Sequence, residues 1–140
     1  MNIVLAADHA GFEYKMDILN YLLEKGMQVD DMGCYSNESC DYPDFIHPAA
    51  QKLGDGQYDF AIFFCGSANG VAMTANKHAR VRAAICWLPV LAELARQHND
   101  ANALCIPARY VSLDEAKDII DLFLATSFEG GRHERRVNKI

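Results

Sequence analysis

Tyr58-Asp59-Phe60-Ala61-Ile62-Phe63-Phe64, running straight into Cys65-Gly66-Ser67-Ala68-Asn69-Gly70, is the stretch on which the fold turns. After Asp59 no polar residue alternates with the apolar ones, as expected of a strand covered on both faces. Such a strand needs helices above and below it, and the flanking sequence supplies them. Ala68–Ala79 reads as a helix, as does Pro43–Leu53, opened by Pro43 near its first turn. Further out, Ile3–Ala7 is a first buried strand. It is followed by Phe12–Lys25, with Phe12, Met16, Leu19, Leu22 and Leu23 at helical spacing and Gly26 as the stop. Met27–Asp31 is a short second strand, Val81–Cys86 a fourth and Ala103–Ile106 a fifth, with a helix over Pro89–Gln97. Leu113–Leu124 is strongly amphipathic (Ala116, Ile119, Ile120, Phe123), with Ser112 as N-cap and Glu115 completing a capping box. Arg132–Ile140 reads as a short basic helix. Five strand–helix units in tandem predict an α/β protein: a single-domain, Rossmann-like three-layer α/β/α sandwich over residues 1–140, on a five-stranded, mainly parallel sheet.

The chain has 140 residues, 51% of them apolar, which suits one domain with a core that needs no disulfide or metal staple. With 13 Lys and Arg against 19 Asp and Glu, the net charge is −6. An acidic chain lacks the field that holds a phosphate backbone, which argues against nucleic acid. No apolar run reaches the roughly 18 residues of a membrane helix. The opening residues have no basic region and read as a buried strand, not a signal peptide. Five scattered cysteines (34, 40, 65, 86, 105) without a Cys-x-x-Cys read as reduced thiols of a cytoplasmic protein.

In a parallel sheet of this kind the working residues lie at the carboxyl ends of the strands, at a topological switch point. Asp8-His9-Ala10-Gly11 follows strand 1 and Cys65-Gly66-Ser67-Ala68-Asn69-Gly70 follows strand 3. If those strands are neighbours, as in a flavodoxin-like order, the two loops face each other. No phosphate-binding P-loop is present, and no G-x-G-x-x-G follows strand 1, which argues against a dinucleotide. A cysteine phosphatase loop would need arginine at 71, where valine stands. Histidines 9, 47, 78, 98 and 133 form no local zinc pair. The Cys65 loop enters a helix, and the positive end of that helix is expected to lower the thiol's pKa. By residue type alone, Cys65 reads as a small buried hydrophobe ending a strand; its place at a strand end facing Asp8-His9 brings the functional reading level with that one.

His98-Asn99-Asp100 closes the fourth helix. His98 is a candidate acid/base, because histidine alone titrates near neutral pH unperturbed; the alternative is a surface histidine beside a helix cap. Arg132 and Arg136, spaced i,i+4, suit a phosphate through their forked donors, unless the tail is simply solvated. Gly130 and Gly131 point to a chain turned sharply back. Asp30, Asp31, Glu38, Asp41 and Asp44 read as solvated surface. Cys86 and Cys105 read as core, and Cys34 and Cys40 as loop thiols.

Six segments in this order resemble the ribose-5-phosphate isomerase B family, whose superfamily also holds the allose 6-phosphate and galactose 6-phosphate enzymes. They are Asp8-His9-Ala10-Gly11-Phe12, Asp41-Tyr42-Pro43-Asp44, Cys65-Gly66-Ser67 with Gly70, Ala75-Asn76-Lys77, Arg96 to Asn102, and Phe128-Glu129-Gly130-Gly131-Arg132-His133. The resemblance covers nearly the whole chain. It implies an aldose–ketose isomerase for ribose 5-phosphate and ribulose 5-phosphate, or for a six-carbon sugar phosphate, with no metal or organic cofactor. It implies a homodimer or tetramer with the active site at the subunit interface, where the basic segment 128–140 would pack. Cys65 would be the base moving a proton between C1 and C2, and His98 the acid/base that opens the sugar ring. Asp8, His9 and Asn99 would hold substrate, and Gly66, Ser67, Ala68, Asn69 and Gly70 the enediolate. Arg109, Arg132 and Arg136 would hold phosphate. A non-catalytic phosphosugar-binding subunit is the alternative from another class. Two positions depart from the family: Ala68 where a further glycine is usual, so a negative φ is expected there, and Pro107-Ala108 ahead of Arg109 where glycine is common.

Overall fold

In a computed structural model describing residues 1–140, five strands form one all-parallel sheet. They are β1 (Asn2–Ala7), β2 (Gln28–Asp31), β3 (Phe60–Cys65), β4 (Ala83–Ile85) and β5 (Ala103–Pro107). The order is β2-β1-β3-β5-β4. β3 lies at the centre, pairing Ala7 with Phe64 on one side and Pro107 with Cys65 on the other. The expected adjacency of strands 1 and 3 is found. The last two strands exchange places relative to a flavodoxin-like order. β5 is buried along its length while β4 is half-buried, so the more apolar strand takes the inner position.

Alternate residues of the central strands feed two cores. Ile3, Leu5, Ile62, Phe64, Leu104 and Ile106 face α1 (Phe12–Glu24), α4 (Pro89–Asn99) and α5 (Leu113–Ala125). Val4, Ala6, Phe63, Cys65 and Cys105 face α2 (Tyr42–Gly54) and α3 (Asn69–Ala75). The predicted sandwich is therefore present, with α6 (Arg132–Val137) packed on α4. Ser112 and Glu115 make the capping box expected of α5. α3 is shorter than predicted because Asn76 leaves the helix: its side chain accepts from the Ala83 N–H and donates to the Ala83 carbonyl, tying the chain to β4.

One acidic residue read as solvated is an anchor. Asp31 pairs with the ammonium of Lys15, which is fully buried, and accepts from the Gly33 N–H at 2.9 Å. Removing one partner of such a pair leaves the other without compensation, at a cost of about 3–5 kcal/mol. The bond fixes the 33–41 loop beside the end of β1, where Cys34 donates its N–H to the Ala7 carbonyl at 2.8 Å.

Candidate active site

β1 and β3 are adjacent, and the chain departs from them in opposite directions across the sheet, so the switch point lies between their carboxyl ends. There the Asp8 N–H donates to the Phe64 carbonyl at 3.2 Å. Asp8 is buried, and its Oδ1 accepts from the amides of Ala10 (2.9 Å) and Gly11 (3.1 Å), which locks the turn into α1. Gly11 is required because a Cβ there would stand 2.5 Å from Phe64 Cβ. Gly70 is held comparably close, under the ring of Tyr42.

Cys65 ends β3 and is 7% exposed, at a cavity of about 230 Å³ lined by Asp8, His9, Ala10, Cys65, Gly66, Ser67, Arg109 and Tyr110. Its thiol is hydrogen-bonded to Asp8, and the amides of Ser67 and Ala68 turn towards the sulfur. The predicted fall in its pKa is reversed. Burial first, then the Asp8 carboxylate, pushes the thiol up, and the two amides offset this only in part. α3 has only seven residues, too few for a strong field at its start.

The expected negative φ at Ala68 is also overturned. Its φ is +63°, in the left-handed region. The chain must reverse from β3 into α3 within a few residues while keeping two amides on the sulfur, and this turn demands that geometry. A left-handed alanine costs about 1–2 kcal/mol, offset by complete burial of its methyl in the α2–α3 core.

His9 is half-buried, and the Cys40 N–H donates to its Nδ1 at 3.3 Å, which leaves Nε2 to carry the proton in the neutral ring. Ser67 accepts at Oγ from the Asn69 amide. Despite the altered Pro107-Ala108, Arg109 reaches the cavity: its N–H donates to the Gly66 carbonyl at 3.2 Å and its guanidinium lies over Gly66. Tyr110 on the rim is an addition that no motif marked.

His98, Asn99, Arg132 and Arg136 are elsewhere. α4 runs back from the carboxyl edge of the sheet to its amino edge, where Asn102 accepts from the Ala61 N–H at the start of β3. Residues Phe60–Cys65 make five steps of about 3.3 Å, so roughly 16 Å of strand separates the two ends. At that far end His98 stacks on His133, with ring centroids 4.2 Å apart and planes 6° from parallel. Glu129 stands 3.6 Å from His133 Nε2. These three residues offer metal-ligand atoms within 4.8 Å of one another. The two rings are parallel, however, and imidazole lone pairs lie in the ring plane, so they cannot converge on one ion as they stand. Arg132 and Arg136 are exposed on α6. A larger groove of about 420 Å³, lined by Asn2, Gln28, Asp30, Gln57 and Tyr58, contains no thiol or imidazole.

Residues 3–140 match the model of the family described as Ribose/Galactose Isomerase. The chain is 42% identical to the Escherichia coli protein named ribose-5-phosphate isomerase B, covering 99% of this chain and 93% of that one. The solved ribose 5-phosphate isomerase of Thermotoga maritima superposes with a TM-score of 0.96 at 47% identity, covering 99% and 95% of the two chains. The Mycoplasma genitalium ribose-5-phosphate isomerase B, solved with bound ribulose-5-phosphate, superposes with a TM-score of 0.95 at 43% identity, covering 99% and 92%. With the switch-point site and the whole sheet but Asn2 inside the matched span, the chain belongs to the Ribose/Galactose Isomerase family.

Proposed function

We propose that this chain is an aldose–ketose isomerase interconverting ribose 5-phosphate and ribulose 5-phosphate, with Cys65 as the base. The observation that carries the reading is the Cys65 thiol on a cavity wall, bonded to Asp8 and faced by two loop amides. The reaction removes the proton from C2 of the open-chain aldose, holds an enediolate, and returns a proton to C1. No net electron leaves the sugar, so the chemistry calls for no redox cofactor. The Ser67 and Ala68 amides stabilise the thiolate, working against burial and the Asp8 carboxylate, which favour the protonated thiol. The enediolate needs fixed donors, which the 66–70 loop offers.

His98, Asn99, Arg132 and Arg136 stand at the opposite end of the sheet and cannot meet the same sugar phosphate within one chain. A second copy brings them to the Cys65 cavity, making a composite site in a homodimer with segment 128–140 at the interface. The exposed Tyr110 on the cavity wall and the exposed Trp87, which shares a groove with Ser67 and Tyr110, support such a contact. In that site His98 opens the ring, Asp8, His9 and Asn99 hold the sugar, and Arg109, Arg132 and Arg136 hold a phosphate of about −1.5 to −2 charge. The five unpaired thiols support a reducing, cytoplasmic setting. No helix is long and apolar enough to cross a membrane.

Incubation with ribose 5-phosphate in deuterated water tests the activity: deuterium enters the sugar as ketose forms. Binding without deuterium uptake would favour a non-catalytic sugar-phosphate subunit. Rates on ribose, allose and galactose phosphates side by side decide between five- and six-carbon substrates.

A further inference from the structure

Resting on the reading of His98 as the ring-opening acid/base, we infer that His133 is its positioning residue, a flat face that fixes the His98 ring and links it to the phosphate-binding arginines. His98 is half-buried on α4 and His133 is 6% exposed on α6, so the stack spans two elements. Parallel imidazoles at 4.2 Å leave the His98 ring little freedom to tilt. The second element is itself fixed: the Glu129 N–H donates to the Gln97 carbonyl at 3.1 Å, and the His133 N–H to the Gly130 carbonyl at 3.0 Å.

The stack works only if His133 is uncharged, since two stacked imidazolium rings repel. Its surroundings favour this. Arg132 Nε–H donates to His133 Nε2 at 3.4 Å, a role that needs the lone pair of the neutral ring. Burial first, then His98 and Arg132, hold the His133 imidazole below its ordinary value, with Arg136 acting the same way and Glu129 opposing. His133 thus joins the ring-opening histidine to Arg132 without itself touching substrate.

Ribulose 5-phosphate has its C5 hydroxyl blocked by phosphate and stays open-chain, so its C1 proton exchange with solvent bypasses ring opening. His133→Ala should lower turnover of ribose 5-phosphate about tenfold or more, while C1 exchange of ribulose 5-phosphate stays within about twofold of the parent protein. His133→Phe, flat and without charge, should recover most of the loss. Thermal unfolding of both variants separates misfolding from misplacement. Equal loss of both reactions in folded His133→Ala, or no loss, would overturn the inference. His98→Asn separates the two levels: if it spares ribose 5-phosphate turnover, the ring-opening reading falls and the inference with it. If it selectively removes that turnover while His133→Ala does not, only the positioning role falls.

Discussion

At the Cys65 site the two central groups, Asp8 and Cys65, are buried and anchored to backbone, whereas His98, Asn99, Arg132 and Arg136 are half-buried or exposed, with His98 and both arginines gathered around the buried His133. Asp8 has two amides on one oxygen, and Cys65 has two amides on its sulfur. Arg132 and Arg136 lie open on a six-residue helix, with the stacked histidines as the main fixture. The carboxyl-edge cluster is set by the ends of β1 and β3 and by the amides of the turns that follow them. In the proposed dimer the α4–α6 cluster reaches the cavity from the other copy. On the proposed roles, proton transfer between C1 and C2 belongs to the first, and ring opening with two of the three phosphate-binding arginines to the second.

The sharpest way to break this division is to remove the base. Cys65→Ala should lower turnover about 10³-fold or more, since a general base contributes on that order, while the dissociation constant measured by calorimetry stays near that of the parent. Near-parent rates would show that the proton moves by another group. Next in size is the capture cluster. Arg136→Ala should raise KM about tenfold or more through one lost charge-assisted bond, with kcat little changed. An unchanged KM would make the tail ornamental.

The third test concerns acidity. Because Cys65 holds its proton more tightly than an ordinary thiol, alkylation by iodoacetamide should keep rising with pH beyond the range of a free cysteine. The same shift makes ionisation of Cys65 costly to the fold, so its contribution to stability is present at neutral pH and is lost as pH climbs through the raised value. Asp8→Asn removes the carboxylate that holds the proton and should move the alkylation midpoint to lower pH. A midpoint that stays put would mean Asp8 does not govern the thiol. The smallest expected effect is at Ala68. Ala68→Gly relieves a left-handed alanine but loosens the unfolded chain, leaving a net gain of about 0.5 kcal/mol, read as a small rise in Tm. A fall in Tm would mean the buried methyl outweighs the strain.

The sandwich was legible because Phe60–Phe64 and Ile3–Ala7 are uninterrupted apolar runs, which leave a central parallel strand as the economical reading. The order of the last two strands was not, since it depends on how fully β4 and β5 are covered, a tertiary matter. The Cys65 loop was found by its place after a strand, yet its acidity was misjudged: Asp8 lies 57 positions away in sequence and reaches the sulfur only in the fold. Ala68 was misread because residue type favours negative φ and the turn overrides it. Asp31 read as an ordinary surface charge, because its partner Lys15 stands 16 positions away and meets it only in the fold. His98 was picked out by residue type and Cys65 by its place after a strand, but how far apart the two would stand depends on where α4 finishes, which the linear sequence does not mark. His133 had a signal, the paired glycines ahead of Arg132 that turn the chain back onto α4.

The claim beneath all of this is that a working site takes Cys65 from one chain and His98 from another. Mixing Cys65→Ala with His98→Asn under conditions that exchange subunits tests it directly. Each variant alone is inactive, and random pairing gives mixed dimers in which one site of the two is intact, about a quarter of the parent activity overall. A mixture that contains mixed dimers by mass spectrometry yet remains as inactive as its components would contradict the account.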